Sequence, residues 1–328
     1  MQIRQERQLN AVEDEVLALT AVVRPILTGL LRALKHDVVV QAGGLESITL
    51  ALLARLYRAG DGDCGICFEY AVHEAMNRRD PRVLERVNDA IRLCRINGTD
   101  PQSILFGLEK TGTLQLIDTA SEILTDDSRI LAGTVGQPPK LRKHLNTIVG
   151  AFRNARTRPS LPSSIRGIWK ADLVVGYPAQ EQWVGTTVKI NPTQLEGAPG
   201  LRIGIVPTRQ GRTDRVRHDE GRNLVICPLH HDQDFMQVFY EGWRIVQAFI
   251  QADAQVPKEV SLPRPMDREV ARILTERRAF PVLDVIEAIA VFGQPELLVT
   301  DDKKVDLQTL KGDSATDTLV APLSRTDL

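Results

Sequence analysis

Residues 170–191 read KADLVVGYPAQEQWVGTTVKIN, with two runs rich in Val and Thr on either side of the turn-forming letters PAQE. β-branched residues favour extended backbone, and a proline followed by polar residues favours a reversal of the chain. The stretch therefore predicts a β-hairpin. If its strands pair symmetrically about the turn, Tyr177 lies opposite Gln182 and Asp172 lies opposite Thr187.

Side chains alternate between the two faces of the second strand. The more apolar set, which we expect to face the core, is Val184, Thr186, Val188 and Ile190. Thr187 and Lys189 belong to the opposite set, together with Trp183 and Gly185. Diagonal neighbours in a hairpin lie about 7–8 Å apart, which brings Lys189 within side-chain reach of Asp172.

Two interpretations of the Asp172–Lys189 pair are open at this point. The pair is either a cross-strand ion pair that helps to set the register, or part of a metal-dependent active site. In the second case Asp172 binds a hard cation such as Mg²⁺ through oxygen. Lys189 then orients or deprotonates the attacking water and stabilises developing negative charge.

The rest of the chain predicts a mixed α/β fold in which helices surround a small sheet. Apolar residues recur with helical spacing through most of the first 155 residues. The predicted helices are 17–34, 47–59, 65–78, 81–96, 101–110, 112–124, 141–153, 232–254, 267–278 and 281–292. Short runs rich in Val, Ile and Thr predict strands at 171–177, 183–190, 201–206, 223–227 and 295–300.

These elements divide the chain into four regions. A helical region over 1–155 precedes an α/β core over 156–256, and a C-terminal helical segment over 257–300 precedes a polar tail over 301–328. Prolines and serines between 156 and 164 indicate a connector between the first two regions.

The bulk composition indicates a globular protein of a reducing compartment. Of the 328 residues, 43% are hydrophobic and four are cysteines, too few for a disulfide framework. The charged N-terminus has no apolar signal segment, and no apolar run approaches the roughly 20 residues that span a bilayer. We therefore expect a cytoplasmic protein without a membrane contact.

Positive charge is concentrated in one part of the chain, although the net charge is −1. Between residues 140 and 222 there are fifteen Lys and Arg against six Asp and Glu, a surplus of nine positive charges. This segment is either a solvated basic face or a surface for phosphates. The acidic helical regions outside it offer a surface for a homodimer contact or for a partner protein.

Five arginines lie within residues 208–223, TRQGRTDRVRHDEGRN, which we expect to form a flexible loop. A guanidinium group fits two phosphate oxygens at once, so a contact with the backbone of DNA or RNA is the alternative to a solvated loop. The candidate nucleic-acid-binding residues are Arg209, Arg212, Arg215 and Arg217.

Ala171-Asp172 and, after the turn, Thr187-Val188-Lys189 resemble the motif of the PD-(D/E)XK nuclease superfamily, over about a quarter of the chain. The resemblance implies a restriction-endonuclease-like sheet and hydrolysis of phosphodiester bonds with Mg²⁺ or Mn²⁺. It also implies double-stranded DNA as the partner and a role in restriction or phage defence. Asp172 and Lys189 would be catalytic, and the carbonyl oxygen of Val188 would be a metal ligand.

The sequence departs from that motif at two positions. Ala171 stands where the family has proline, and Thr187 stands where it has the second acidic residue. One carboxylate is a poor Mg²⁺ site, so a second must come from elsewhere, as in members of the superfamily that use a neighbouring helix. The alternative is a protein that keeps the fold without the chemistry and acts as a nucleic-acid-binding or scaffold protein.

Three glutamates are candidates for the second carboxylate. Glu181 lies at the turn, about 26 Å from Lys189 along an extended strand, which is too far. Glu196 follows the second strand and can fold back toward it. Glu69 lies in a predicted helix with His73 one turn later on the same face, where a metal would stabilise a buried carboxylate. We predict that Glu69 completes the site, with Glu196, His73 and Thr187 as secondary candidates.

A zinc site is a weaker candidate. Cys64 and Cys67 have the spacing of a CxxC pair, and Cys227 is followed by His230. Four such ligands can form a tetrahedral site, although nearly 160 residues separate the two pairs. The sequence contains neither a phosphate-binding Gly-Lys-Ser/Thr loop nor a Gly-x-Ser-x-Gly elbow, so neither nucleotide hydrolysis nor serine-hydrolase chemistry is predicted.

Overall fold

The structure is a computed structural model. It describes residues 14–58, 63–105, 120, 122–131, 137–161, 165, 170–197, 200–209, 215–231, 235–255 and 261–290. Four predicted features lie wholly or mostly outside these ranges, namely the helix 112–124, Arg212, the strand 295–300 and the tail 301–328.

The helices of the described ranges are α1 (Asp14–Arg32), α2 (His36–Gln41), α3 (Leu50–Leu56), α4 (Asp63–Asn77), α5 (Pro81–Leu93), α6 (Leu145–Arg153), α7 (Phe235–Gln251), α8 (Pro265–Glu276) and α9 (Val282–Ala290). Their starts follow from local sequence. α3 begins after Thr49, whose hydroxyl accepts a hydrogen bond from the Leu52 N–H, and α5 begins after Asp80, which caps the Arg82 N–H. Within the described ranges no helix combines the length and the apolar character needed to cross a membrane.

In the part of the chain that the structure describes, seven strands form one mixed sheet, namely β1 (Gln102–Leu105), β2 (Arg129–Leu131), β3 (Leu173–Tyr177), β4 (Gln182–Val188), β5 (Leu201–Thr208), β6 (Arg217–Asp219) and β7 (Leu224–His230). The order is β1-β3-β4-β5-β7-β6, and β2 pairs with β4. β4, β5 and β7 run parallel to one another, whereas β3 is antiparallel to β4 and β6 is antiparallel to β7. The predicted mixed α/β architecture, with helices around a mixed sheet, is confirmed.

β3 and β4 form the predicted hairpin in the predicted register. Tyr177 pairs with Gln182, and the backbone N–H of Asp172 donates to the carbonyl of Thr186 at 2.9 Å. The ladder therefore continues one residue beyond the start of β3, which brings Asp172 beside Thr187.

The ends of several strands and Asp172 lie at one edge of the sheet. Because β4, β5 and β7 are parallel, their last residues, Val188, Thr208 and His230, lie at the same edge. β3 runs in the opposite direction, so Asp172, just before its first residue, lies at this edge as well. We call the edge defined by these four residues the carboxyl edge.

Both faces of the sheet are buried. Val184 and Val188 belong to the main core, which also contains residues of α1, α4, α5, α7, α8 and α9. Trp183, on the opposite face, is fully buried in a second core together with Val174 and Ile148 of α6. The prediction that the Val184 face meets the core is confirmed. The face of Trp183 is also covered, because α6 packs on it.

Two predicted elements are wrong in type. Residues 102–105, which lie inside the predicted helix 101–110, form the strand β1 and pair with β3. Residues 217–219, predicted as part of a loop, form β6 beside β7. In both cases a neighbouring strand supplies the backbone hydrogen bonds, and such a partner is not visible in a short local pattern. β1 and β2 come from the region 1–155, so the sheet takes strands from both sides of residue 155.

Candidate functional site

Three donors meet on one oxygen of Asp172. Its Oδ2 accepts hydrogen bonds from the Thr187 hydroxyl at 2.9 Å, the Val188 backbone N–H at 2.7 Å and the Lys189 ammonium at 2.8 Å. These donors are consecutive residues at the end of β4, so the hairpin register holds the carboxylate in place. Since all three bonds end on Oδ2, Oδ1 is the oxygen that can be shared with a cation or with another acid.

Glu69 of α4 approaches the same ammonium. Its Oε1 lies 3.6 Å from Lys189 Nζ, while Asp172 Oδ2 lies 2.8 Å from it, so Lys189 contacts both carboxylates. Because both oxygens contact the same nitrogen, Glu69 Oε1 and Asp172 Oδ2 are neighbours in this cluster. The Glu69 and Asp172 side chains are 16% and 15% exposed, and Lys189 is 29% exposed. The lysine is thus the member of the cluster that solvent reaches best.

The three groups shift each other's proton affinity. Burial raises the pKa of Glu69 to about 8, the charge of Asp172 adds to the rise, and Lys189 opposes it. For Lys189, burial alone would lower the pKa, but Asp172 and Glu69 outweigh it, and the pKa is raised. The cluster therefore holds one ammonium, one carboxylate and one carboxyl group that would ionise beside a second cation.

Close packing of α4 on α1 sets the position of Glu69. A Cβ added to Gly29 of α1 would lie 2.8 Å from the Cα of Cys67, so only glycine allows the two helices to approach this closely. The Cys67 thiol donates to the carbonyl of Ile26 at 3.4 Å, and the neighbouring Phe68 is fully buried in the main core. With these two side chains directed into the core, Glu69 extends toward the carboxyl edge.

His73, one turn after Glu69, has other partners. Its Nδ1 lies 2.8 Å from Oγ of Ser103 on β1, and its Nε2 lies 3.1 Å from Nδ2 of Asn77. Burial lowers the pKa of His73 to about 4, with the charge of Glu74 acting in the opposite direction. His73 is therefore a neutral, hydrogen-bonded residue, and both ring nitrogens are already in use.

The remaining glutamates lie in different surroundings. Glu196 is 68% exposed and forms an ion pair with Lys170 at 3.0 Å. Glu181, at the far end of the hairpin, accepts a hydrogen bond from the Thr125 hydroxyl at 2.7 Å. Of the three candidates, all of which the structure describes, Glu69 is the one that contacts Lys189.

Arg209 lies at the carboxyl edge, because it directly follows the end of β5. Arg215 lies two residues before β6, whose first residue, Arg217, pairs with Ile226, the third residue of β7. Both side chains are exposed, and neither has an ion-pair partner within the described ranges.

The other arginines of this segment differ from that pair. Arg222 forms an ion pair with Asp219 at 2.8 Å. Arg222 and, to a smaller extent, Arg217 lower the pKa of Asp219. Positive charge is therefore partly neutralised around β6, and the candidate Arg212 lies outside the described residues.

The candidate zinc ligands are occupied in other ways. Cys67 bonds to backbone, and burial raises the pKa of the Cys227 thiol to about 12, which disfavours a thiolate. His230 Nε2 accepts a hydrogen bond from Arg86 Nη2 at 2.5 Å. In the part of the chain that the structure describes, no three or more His, Cys, Asp or Glu side chains are grouped as a metal site.

Comparison of the chain with protein-family models, with curated proteins and with solved structures gave no match. The function of the protein is therefore inferred from the geometry of the site.

The sequence did not identify Ser103, because a four-residue strand without an alternating pattern carries no clear strand signal.

Proposed function

We propose that the protein is a Mg²⁺-dependent endonuclease that hydrolyses phosphodiester bonds of DNA. The observation that supports this proposal is the cluster of Asp172, Glu69 and Lys189 at the carboxyl edge, where two mostly buried carboxyl groups contact one ammonium. Burying two acids beside one base destabilises the fold. A divalent-metal site with an adjacent lysine is a function that requires this combination of groups.

The residues present fit a hard divalent cation. Asp172 and Glu69 would supply carboxylate oxygens, and Val188 would supply its backbone carbonyl oxygen. The raised pKa of Glu69 agrees with this role, because a carboxyl group that is protonated alone ionises when a cation is near. When bound, Mg²⁺ or Mn²⁺ would stabilise the negative charge that develops on the phosphate. Waters and substrate oxygens would complete its coordination.

Lys189 would act on the attacking water. One of its N–H groups donates to Asp172 at 2.8 Å, which fixes the position of the nitrogen. Its other N–H groups can orient a water molecule and stabilise negative charge on the scissile phosphate. Lys189 is 29% exposed, more than either carboxyl group, so substrate can approach the cluster from the side of the lysine.

Thr187 explains how the site can function with a hydroxyl at the motif's second acidic position. Its hydroxyl donates to Asp172 at 2.9 Å, and the residue is 3% exposed. A carboxylate at this position would place like charge against Asp172, whereas the threonine anchors Asp172. The second carboxylate would then come from Glu69.

The candidate arginines would hold the nucleic-acid backbone. Arg209 at the carboxyl edge and Arg215 before β6 are exposed and have no acid partner within the described ranges, which suits contacts with phosphates. We extend the same role to Arg212 and Arg217 of this segment. Double-stranded DNA is the proposed substrate, and a cytoplasmic protein of restriction or phage defence is the proposed context.

A second candidate function is a nuclease-like protein that binds nucleic acid, or acts as a scaffold, without cleaving it. The close Asp172–Lys189 pair favours this alternative, because it is already neutral and would fix the hairpin without a metal. In that case the arginines would bind DNA and the carboxyl groups would have no role in chemistry.

Cleavage of supercoiled plasmid DNA in Mg²⁺ separates the two functions. Asp172→Asn, Glu69→Gln and Lys189→Met are each expected to lower the cleavage rate by ~100-fold or more, as removal of a catalytic electrostatic group does. Glu196→Gln is the matched control, an exposed glutamate that is expected to be dispensable. Equal rates in all five proteins would refute the assignment. A wild type that binds the plasmid without cutting it would establish the alternative.

A further inference from the structure

We propose that His73 and Ser103 are positioning residues, whose hydrogen bond fixes α4 to β1 and thereby holds Glu69 against Asp172 and Lys189. The inference that this positioning serves catalysis rests on the proposed nuclease function. The hydrogen bond between His73 on α4 and Ser103 on β1 does not depend on that function.

The hydrogen bonds that link Asn77, His73 and Ser103 run in a defined donor-to-acceptor direction. The Nδ2 group of Asn77 can only donate, so the Nε2 of His73, 3.1 Å away, is the acceptor. The proton of the neutral imidazole therefore lies on Nδ1, which donates to Oγ of Ser103 at 2.8 Å. Burial keeps the ring neutral, so the same tautomer persists at neutral pH.

The position of this chain relates it to Glu69. Ser103 is 1% exposed on β1, two residues before Leu105, which pairs with Leu173 at the carboxyl edge. One helical turn along α4, about 5–6 Å, leads from His73 to Glu69 on the same helix face. Ser103 lies two residues inside the sheet, so its hydrogen bond to His73 places Glu69, one turn earlier in α4, at the carboxyl edge.

A second set of contacts holds α4 in a different direction. Glu74 forms ion pairs with Arg24 of α1 and with Arg78, at 2.8 Å for the latter, and its side chain is 17% exposed. Adjacent helical residues point about 100° apart, so Glu74 faces α1 while His73 faces the sheet. Loss of the Glu74 contacts should therefore weaken the fold without releasing the face that carries Glu69.

The experiment compares full-length His73→Leu and Ser103→Ala with Ser103→Thr, which restores a hydroxyl, and with Glu74→Gln as the control. In the metal-free proteins, nuclear Overhauser effects between the side chains of Glu69 and Lys189 report their contact, which is 3.6 Å between Oε1 and Nζ. We expect these effects to be lost in His73→Leu and Ser103→Ala, because the turn that carries Glu69 is released from β1. They should return in Ser103→Thr and persist in Glu74→Gln.

Mn²⁺ affinity, measured by electron paramagnetic resonance, is the second readout. We expect His73→Leu and Ser103→Ala to bind Mn²⁺ at least ~10-fold more weakly, as loss of an outer-shell partner does, and Glu74→Gln to bind it as wild type does. Ser103→Ala removes one hydroxyl and keeps the packing, so it decides the case even if His73→Leu does not fold.

Two outcomes would overturn the inference. One is an unchanged Glu69–Lys189 contact in folded Ser103→Ala, and the other is an equal loss of that contact in Glu74→Gln. A wild type that binds no Mn²⁺ would refute the proposed function, and the Overhauser measurement would still decide whether His73 and Ser103 position Glu69.

Discussion

Oε1 of Glu69 on α4 lies 3.6 Å from Nζ of Lys189 at the end of β4, although this helix and this strand are distant in the sequence. Lys189 also contacts Asp172 at 2.8 Å, so a single ammonium serves two mostly buried carboxyl groups. Burial, together with the nearby charge of Asp172, raises the pKa of Glu69 to about 8, and Glu69 therefore keeps its proton at neutral pH.

Glu69→Gln is expected to stabilise the metal-free protein at pH 8. The pKa of Glu69 is about 8 in the folded protein and has an ordinary value of 4.5, so between these values the folded chain holds a proton that the unfolded chain releases. The contribution of Glu69 to stability is therefore complete below pH 4.5 and is lost as the pH rises toward 8. Glutamine does not titrate, so the gain at pH 8 should be up to about 4 kcal/mol, which corresponds to a rise of the pKa from 4.5 to about 8.

Urea unfolding of wild type and Glu69→Gln at pH 5 and pH 8, with and without Mg²⁺, measures this effect. Mg²⁺ should stabilise the wild type and leave the variant unchanged, because binding to the folded state alone shifts the equilibrium. Parallel pH dependence in the two proteins would contradict the raised pKa. Stabilisation of both by Mg²⁺ would show that the cation binds elsewhere.

Lys189→Met is expected to lower the free energy of unfolding by about 1–3 kcal/mol, because it leaves two mostly buried carboxyl groups without their cation. Lys170→Met is the control, since its ion pair with Glu196 is far more exposed, at 41% and 68%, and such pairs contribute at most ~1 kcal/mol. Thermal denaturation at neutral pH compares the two variants. Equal losses would mean that Lys189 is an ordinary surface residue.

Arg209→Ala and Arg215→Ala are expected to weaken DNA binding and to reduce its salt dependence. Each lost phosphate contact should lower the slope of log affinity against log salt by about one. Fluorescence anisotropy with a labelled duplex over a range of salt concentrations measures the slope. Arg222→Ala is the control, because Asp219 already holds that guanidinium, and a slope change as large as in the other two would reject the assigned interface.

Gly29→Ala is expected to destabilise the protein by about 1–3 kcal/mol, because the new methyl group would overlap the backbone of Cys67 on α4. The shift of α4 should also move Glu69 and weaken Mn²⁺ binding. Gly65→Ala, on α4 itself, meets open space and should be neutral or stabilising, as alanine favours helix over glycine. Calorimetry with and without Mn²⁺ tests both changes, and an undisturbed Gly29→Ala protein would contradict the close approach.

Local pattern was sufficient for the hairpin. The Tyr177–Gln182 register follows from turn residues and β-branched runs, and the meeting of Asp172 with Lys189 follows from the register. Local pattern failed at residues 102–105, which form β1, because the partner strand β3 lies far along the chain. Ser103 was missed for the same reason.

The sequence by itself determined the hairpin, the Asp172–Lys189 pair and the mixed α/β class, since each depends on residues close together in the chain or on side-chain periodicity. Only the tertiary structure decided which glutamate joins them. Packing at Gly29 and the His73–Ser103 hydrogen bond set α4 against the sheet, and neither contact is encoded within one element. The raised pKa of Glu69 likewise arises only from burial beside Asp172, which exists once helix and strand have met.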